Sequence, residues 1–294
     1  MSFIICKEVL IVTYLMSAIL GLVQGVAEFL PISSSGHLTL LQHFFGMEEP
    51  DQLLNILLHF ATLLAVCIYY FQDVLGMILE FFRGIAAMFS RQPGQGEPPE
   101  TRRLVFLVIV GTLPLFLVLP AKKYVEGLGS SPVFVSFALL VTGCILFLSD
   151  RMVTGRKTAR SATVKDVLLV GVAQGIATIP GLSRSGCTIS AGMALGFRRE
   201  FAVRYSFLMS LPAVFGATLL EVKDTLSAGS GIPDGMLGKY LLGMVIAGVV
   251  GYFAIRLVNL LANKGKFGAF AYYCWIAGVL FLVLSLLGVT FVPA

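Results

Sequence analysis

The chain has 294 residues, of which 57% are hydrophobic and 13% charged, with 21 lysines and arginines against 16 aspartates and glutamates. So few charges exclude a water-soluble globule of this length, and the small cationic excess gives no reason to expect a nucleic-acid partner. The composition is that of an all-α polytopic membrane protein.

The first apolar segment, residues 9–46, is not a simple span. Its helical run breaks at Pro31, Ser33, Ser34, Ser35 and Gly36, and the run that follows, Leu38 to Phe45, is too short to cross about 30 Å of hydrocarbon. Broken backbone at membrane depth is tolerated only when buried in protein or lining a wet cavity, so the segment predicts a re-entrant helix-loop-helix hairpin. The run from Val9 imitates a signal peptide, but no Ala-x-Ala site follows, and it is expected to stay. Spans are predicted at 52–71, 103–121 and 132–149. Between the first two, Val74 to Arg91 is amphipathic and is expected at the cytoplasmic interface, followed by a solvated Pro/Gly-rich loop from Gln92 to Glu100. The basic run Arg151 to Lys165 reads as a cytoplasmic anchor. Residues 164–197 then repeat the hairpin pattern, broken by Pro180, Gly181, Ser183, Ser185 and Gly186, and spans follow at 201–221, 236–259 and 268–291.

The two hairpins share a sixteen-residue stretch. Gly21 to Gly36 reads GLVQGVAEFLPISSSG and Gly171 to Gly186 reads GVAQGIATIPGLSRSG, identical at seven positions that include Gln24/Gln174, Ser33/Ser183 and Ser35/Ser185. Residues 1–150 and 151–294 are therefore expected to be two repeats of one membrane domain, each a re-entrant hairpin plus three transmembrane helices. Three spans is an odd number, so the second hairpin starts from the opposite face. The repeats are predicted to be inverted, with their loops approaching near the midplane. Most cations cluster on one face, at 83–103, 151–165, 198–204 and 256–266, whereas the other carries Lys7, Lys122, Lys123, Lys223 and Lys239. The second face is expected to be extracytoplasmic, with both termini on it.

Polar residues at this depth are costly and mark function. Gln24 and Glu28, four apart, lie on one helix face, and Glu28 is the carboxylate of the first hairpin's apolar interior. Its charge needs a cation. Mg²⁺ or Ca²⁺ suits carboxylate, amide oxygen and phosphate ligands, so Gln24 and Glu28 are the candidate metal residues. Ser33, Ser34, Ser35, Gly36 and His37 supply hydroxyls, an anion-binding helix start and a group able to act as acid, base or nucleophile. In the second hairpin the position of Ser34 is taken by Arg184, whose planar fork grips phosphate oxygens.

Structural readings compete with these. Serines and glycines also let membrane helices pack closely, and Glu28 with Arg184 could be a buried ion pair that only locks the hairpins. His43 and His59, isolated on apolar segments, read as packed histidines. Gln174 has Thr178 where Gln24 has Glu28, and reads as a supporting residue. Five scattered cysteines, including Cys187 beside the second loop, give neither a disulfide framework nor a thiolate metal site. Inverted repeats are also a transporter architecture, so a phosphorylated-lipid flippase or anion transporter is the alternative to an enzyme. The presence of Glu28 and His37 in one half alone argues against pure transport. An intramembrane serine protease lacks a histidine partner on a second helix.

At these residues the chain resembles the bacitracin-resistance family of undecaprenyl-diphosphate phosphatases. The match lies in (Glu/Gln)-x-x-x-Glu, here Gln24 to Glu28 and running through Phe29 to His37, and in Pro-Gly-x-Ser-Arg-Ser-x-x-Thr, here Pro180 to Thr188. Gln24 stands where the family often has Glu. The resemblance implies hydrolysis of undecaprenyl diphosphate to the monophosphate carrier of cell-wall synthesis, in the bacterial plasma membrane, at a site open to the extracytoplasmic side and dependent on Mg²⁺ or Ca²⁺. It implies that Glu28 and Gln24 hold the metal, that Ser34 or His37 is the nucleophile, and that Arg184 binds the diphosphate, supported by Ser183, Ser185 and Thr188. Ser34 attacking with His37 as base is the favoured arrangement. The partners implied are the polyprenyl diphosphate and membrane lipids. The oligomeric state is left open, with a homodimer among the arrangements.

Overall fold

The structure, a computed structural model, describes residues 12–47, 51–89, 99–152, 155–227, 235–264 and 267–289. Its regular secondary structure among these residues is helical, apart from one isolated bridge between Lys157 and Phe197. Several helices begin where the sequence offers an acceptor to a free N–H group. Thr13 caps α1 (Tyr14–Ala27), Ser33 caps α2 (Ser34–Phe44) and Asp51 caps α3 (Gln52–Tyr69). The amphipathic α4 (Phe71–Phe89) follows, starting a little before the predicted Val74. Its exposed Phe71, Leu75, Ile78, Phe82 and Ile85 form the stripe expected of an interfacial helix, while Glu80 turns inward to Arg83 and Arg102. The expected solvated loop lies largely outside the described residues.

The predicted span at 103–121 is not one unbroken helix. α5 (Glu100–Thr112) passes into 3-10 turns at Leu113–Leu117 and Leu119–Ala121, where Pro114 and Pro120 each remove a backbone donor, and then into the short α6 (Lys122–Leu128). α7 (Pro132–Asp150), capped by Ser131, closes the first half. The second half runs through α8 (Val164–Ile176), α9 (Arg184–Ala194), α10 (Arg199–Ser227), α11 (Leu237–Asn263) and α12 (Gly268–Leu286). Six segments among the described residues are long and apolar enough to span a bilayer: Gln52–Tyr69, Glu100–Ala121, Pro132–Asp150, Arg199–Asp224, Leu237–Ala262 and Gly268–Leu286. They coincide with the six predicted spans, and the chain is a multi-pass membrane protein.

The hairpins are α1–α2 and α8–α9. At about 1.5 Å per residue their helices reach only about 16–21 Å, short of the hydrocarbon thickness. Glycines seat them. A side chain at Gly21 would collide with the Gly243 carbonyl of α11, and one at the matching Gly171 would collide with the Gly111 carbonyl of α5. Each hairpin thus lies directly against backbone of the other half. α8 starts with a capping box, Thr163 with Asp166, and Lys157 Nζ reaches both Asp166 oxygens at 2.8 and 2.9 Å. Burial opposes the Asp166 charge, but the lysine and the Thr163 bonds outweigh it and hold its carboxyl below the usual carboxylate range.

Candidate active site

Both turns are built alike. Ser33 Oγ accepts from Gly36 N–H at 3.2 Å, and Ser183 Oγ accepts from Gly186 N–H at 3.0 Å, so each matched Ser-x-x-Gly starts its short helix. The turns also touch reciprocally. A methyl group at Gly36 would lie 3.0 Å from Gly181 Cα, and one at Gly186 would lie 3.4 Å from Pro31 Cβ. The Gly181 carbonyl accepts from Thr142 of α7 at 3.1 Å, while the matching Pro31 carbonyl accepts from Cys274 Sγ of α12 at 3.9 Å. Serines and glycines repeated at fixed offsets therefore bring Glu28 and Arg184 together, although they are 156 positions apart in sequence.

Glu28, at the end of α1, is the hub. One carboxylate oxygen pairs with Arg184 Nη2. The other accepts from Ser34 Oγ at 2.7 Å and from Gln24 Nε2 at 3.1 Å. The Gln24 amide has to present its nitrogen here, because its oxygen would repel the carboxylate. That leaves Gln24 Oε1 buried without a partner, and Arg184 Nη1 is likewise buried and unpartnered. An idle acceptor and an idle donor thus flank one carboxylate, and buried polar groups of this kind call for a ligand. A narrow cleft opens here, lined by Glu28, Phe29, Thr62, Arg184, Ser210 and Val214 among others.

Several expectations need correction. The favoured Ser34–His37 pair is not formed, because His37 has both ring nitrogens engaged elsewhere: Nδ1 lies 2.8 Å from the Ser33 carbonyl oxygen and Nε2 lies 2.9 Å from the Tyr273 hydroxyl. Ser34 points to Glu28 instead. Ser183, Ser185 and Thr188, expected at the substrate, are each 1% exposed. Ser183 and Ser185 face each other at 3.3 Å, and Thr188 bonds Ser206 at 2.6 Å and the Arg184 carbonyl at 2.9 Å. Their hydroxyls hold the second turn, and through it Arg184. Ser33 and Gly36 similarly serve the helix cap, whereas Ser35 is half-buried beside it.

His59, read from sequence as a packed residue, sits at the site. Its Nε2 is 3.6 Å from Glu28 while Nδ1 bonds the Asn55 carbonyl at 2.8 Å. Thr62, three residues on, lies 3.5 Å from Gln24 Nε2. The available signal was that spacing of two polar residues on one face of an apolar helix. Cys187 packs with Ala138, Ala177 and Leu182, as a small core residue should. Gln174 is buried with both amide atoms unpartnered.

No group of three or more His, Cys, Asp or Glu side chains arranged for a metal occurs among the described residues. The oxygens of Gln24, Glu28 and Ser34 nevertheless fit a hard cation that completes its shell with phosphate and water, as Mg²⁺ commonly does. The unpartnered Gln24 oxygen is the observation in favour.

The profile of the bacitracin resistance protein BacA family matches residues 17–280. The chain belongs to that family. Among its relatives, the undecaprenyl-diphosphatase of Halothermothrix orenii is 41% identical over 267 residues, covering 90% of this chain and 96% of the relative. The undecaprenyl-diphosphatase of Desulforapulum autotrophicum is 39% identical over 268 residues, with 90% and 96% covered. That of Methanosphaera stadtmanae is 38% identical over 280 residues, with 92% and 98% covered. The matched residues include both hairpin turns and reach into all six membrane segments.

Proposed function

We infer that the protein is an undecaprenyl-diphosphate phosphatase, converting undecaprenyl diphosphate into undecaprenyl phosphate and inorganic phosphate in the plasma membrane. The observation that carries this reading is one buried carboxylate receiving a serine hydroxyl, with an unpartnered arginine N–H group beside it. Phosphoryl transfer asks for in-line positioning and charge neutralisation, and these residues supply both. Arg184, through Nη1, binds a terminal phosphate oxygen. Ser34 Oγ attacks the terminal phosphorus while its proton passes to Glu28. The bridging P–O bond breaks, and its electron pair leaves on the undecaprenyl monophosphate, which takes up the proton. Water then attacks the phosphoserine, giving a proton to Glu28, which returns it to Ser34 Oγ as the Oγ–P bond breaks and phosphate departs. Glu28, Gln24 and Ser34 would hold Mg²⁺ or Ca²⁺, which when bound offsets the diphosphate charge. The polyprenyl tail stays among lipids while the head enters between the hairpins.

Purified protein in detergent is expected to release phosphate from undecaprenyl diphosphate, and excess EDTA is expected to abolish release until Mg²⁺ or Ca²⁺ is restored. Undiminished turnover in EDTA would remove the metal from the scheme. Transport of the phosphorylated lipid with no phosphate release would replace the scheme by the flippase reading.

The halves are proposed to be inverted repeats. The support is the reciprocity between Gly36–Gly181 and Gly186–Pro31, and between the Thr142 and Cys274 bonds, which a two-fold relation of the halves produces. The charge distribution supports an opening of the site on the extracytoplasmic side. A cysteine at Ser130 should then react with an impermeant thiol reagent on intact cells, and one at Thr158 only after permeabilisation. The reverse pattern would invert the orientation.

A further inference from the structure

His37 is 5% exposed, and the bonds at its two ring nitrogens define its proton. A carbonyl oxygen only accepts, so Nδ1 carries the hydrogen toward Ser33. The neutral ring must then accept at Nε2, and the donor is the Tyr273 hydroxyl. Tyr273 arrives from α12, in the other half of the chain, and its ring stacks on the imidazole with centroids 5.7 Å apart and planes at 16°. Phe281 closes in edge-on at 6.0 Å.

The carbonyl that His37 holds belongs to an unusual residue. Ser33 has φ 72°, the positive value found at no other non-glycine among the described residues, whereas the matching Ser183 has φ −81°. A serine in that region persists only when its surroundings enforce it. Ser33 is held by Gly36 N–H at its hydroxyl, and its carbonyl accepts both the His37 backbone N–H at 3.2 Å, as Ser183 accepts that of Cys187, and the His37 ring Nδ1–H at 2.8 Å, which the second turn lacks. The second turn has Cys187 where His37 stands, and its cap residue keeps ordinary backbone. The next residue after the strained one is Ser34, the hydroxyl aimed at Glu28.

We propose that Tyr273 is a positioning residue for phosphate release: its hydroxyl fixes the His37 tautomer that holds the Ser33 carbonyl, and so keeps Ser34 directed at Glu28. In the other tautomer, the Nδ1 lone pair would face and repel the carbonyl oxygen, leaving it to the His37 backbone N–H alone. The proposal rests on the phosphatase reading, and it gives His37 a part that requires no bond to Ser34.

The test is Tyr273→Phe, which keeps the stacked ring and removes the hydroxyl. With undecaprenyl diphosphate, kcat is expected to fall about tenfold, the scale of a sub-ångström misplacement of the attacking hydroxyl. KM should stay within about twofold, since no substrate contact is removed, and the melting temperature should not move. The chain has three histidines, so ¹⁵N-histidine labelling with His43→Gln and His59→Gln assigns the His37 ring. Wild-type protein should show a protonated Nδ1 and a bare Nε2, and Tyr273→Phe should shift the Nε2 signal and mix the tautomers. Unchanged kcat, or a fall in kcat with His37 signals unaltered, would overturn the proposal. If wild-type protein releases no phosphate, the phosphatase reading fails, while the ring spectra still decide the Tyr273–His37 bond.

Discussion

Changing Glu28 to glutamine is expected to reduce phosphate release by about 10²–10⁴-fold, the range that a positioned general base contributes. Glutamine keeps the shape of the side chain and a bond to Ser34, but cannot take up its proton or balance Arg184. Ser34→Ala should fall to the same level, and the two changes together should cost little more than either alone, because a nucleophile and its base act as a unit. Initial rates of phosphate release measure the loss, and thermal melts establish that each variant is folded. Trapping adds a chemical criterion. Phosphate captured on the enzyme during turnover, followed by peptide mass spectrometry, should be found on Ser34. Phosphate on His37, or full activity of Ser34→Ala, would exchange the roles of the two residues.

The membrane architecture was legible because apolar runs and breaks in them are local properties. All six spans coincide with predicted ones, and both hairpins fall where Pro, Ser and Gly interrupt an apolar run. What local pattern did not carry was the response of α5 to its prolines, since a 3-10 continuation and an α-helix have the same apolar composition. The site divides similarly. Glu28, Gln24, Ser34 and Arg184 stand out as polar residues within apolar runs, and the repeated stretch led to the expectation that the two turns approach each other. The approach of His59 to Glu28 and of Tyr273 to His37 was not visible. Each comes from a separate helix, and which face of a span looks inward is set by packing against neighbours such as Gly21 on Gly243. The Ser34–His37 pairing failed for a related reason. Three residues' spacing on a helix permits the pair, but a carbonyl at Ser33 and a hydroxyl from α12 claim the imidazole first.

Arg184 carries the second large effect. Arg184→Ala is expected to lower phosphate release by at least about 10²-fold, and Arg184→Lys by about tenfold or more, since lysine keeps the charge but not the fork that reaches Glu28 and a phosphate oxygen together. Each charge-assisted bond lost is worth about 1.5–3 kcal/mol, or about 10- to 150-fold if made in the transition state. Stability gives a separate reading. The arginine and glutamate side chains are 19% and 7% exposed, so removing the arginine alone leaves a buried carboxylate without its partner, a situation that costs about 3–5 kcal/mol when a buried pair is broken. Replacing both residues, Glu28→Met with Arg184→Met, removes the unpaired charge and should restore the melting temperature toward that of the wild type. Activity should not return with it. If the ion pair were only a lock between the hairpins, the double methionine variant would regain turnover along with stability, and the assignment of Glu28 and Arg184 to phosphoryl transfer would fall. A stable and inactive double variant is the expected result, because packing can replace the pair as a contact between two turns, whereas no thioether can accept the Ser34 proton or bind a phosphate oxygen.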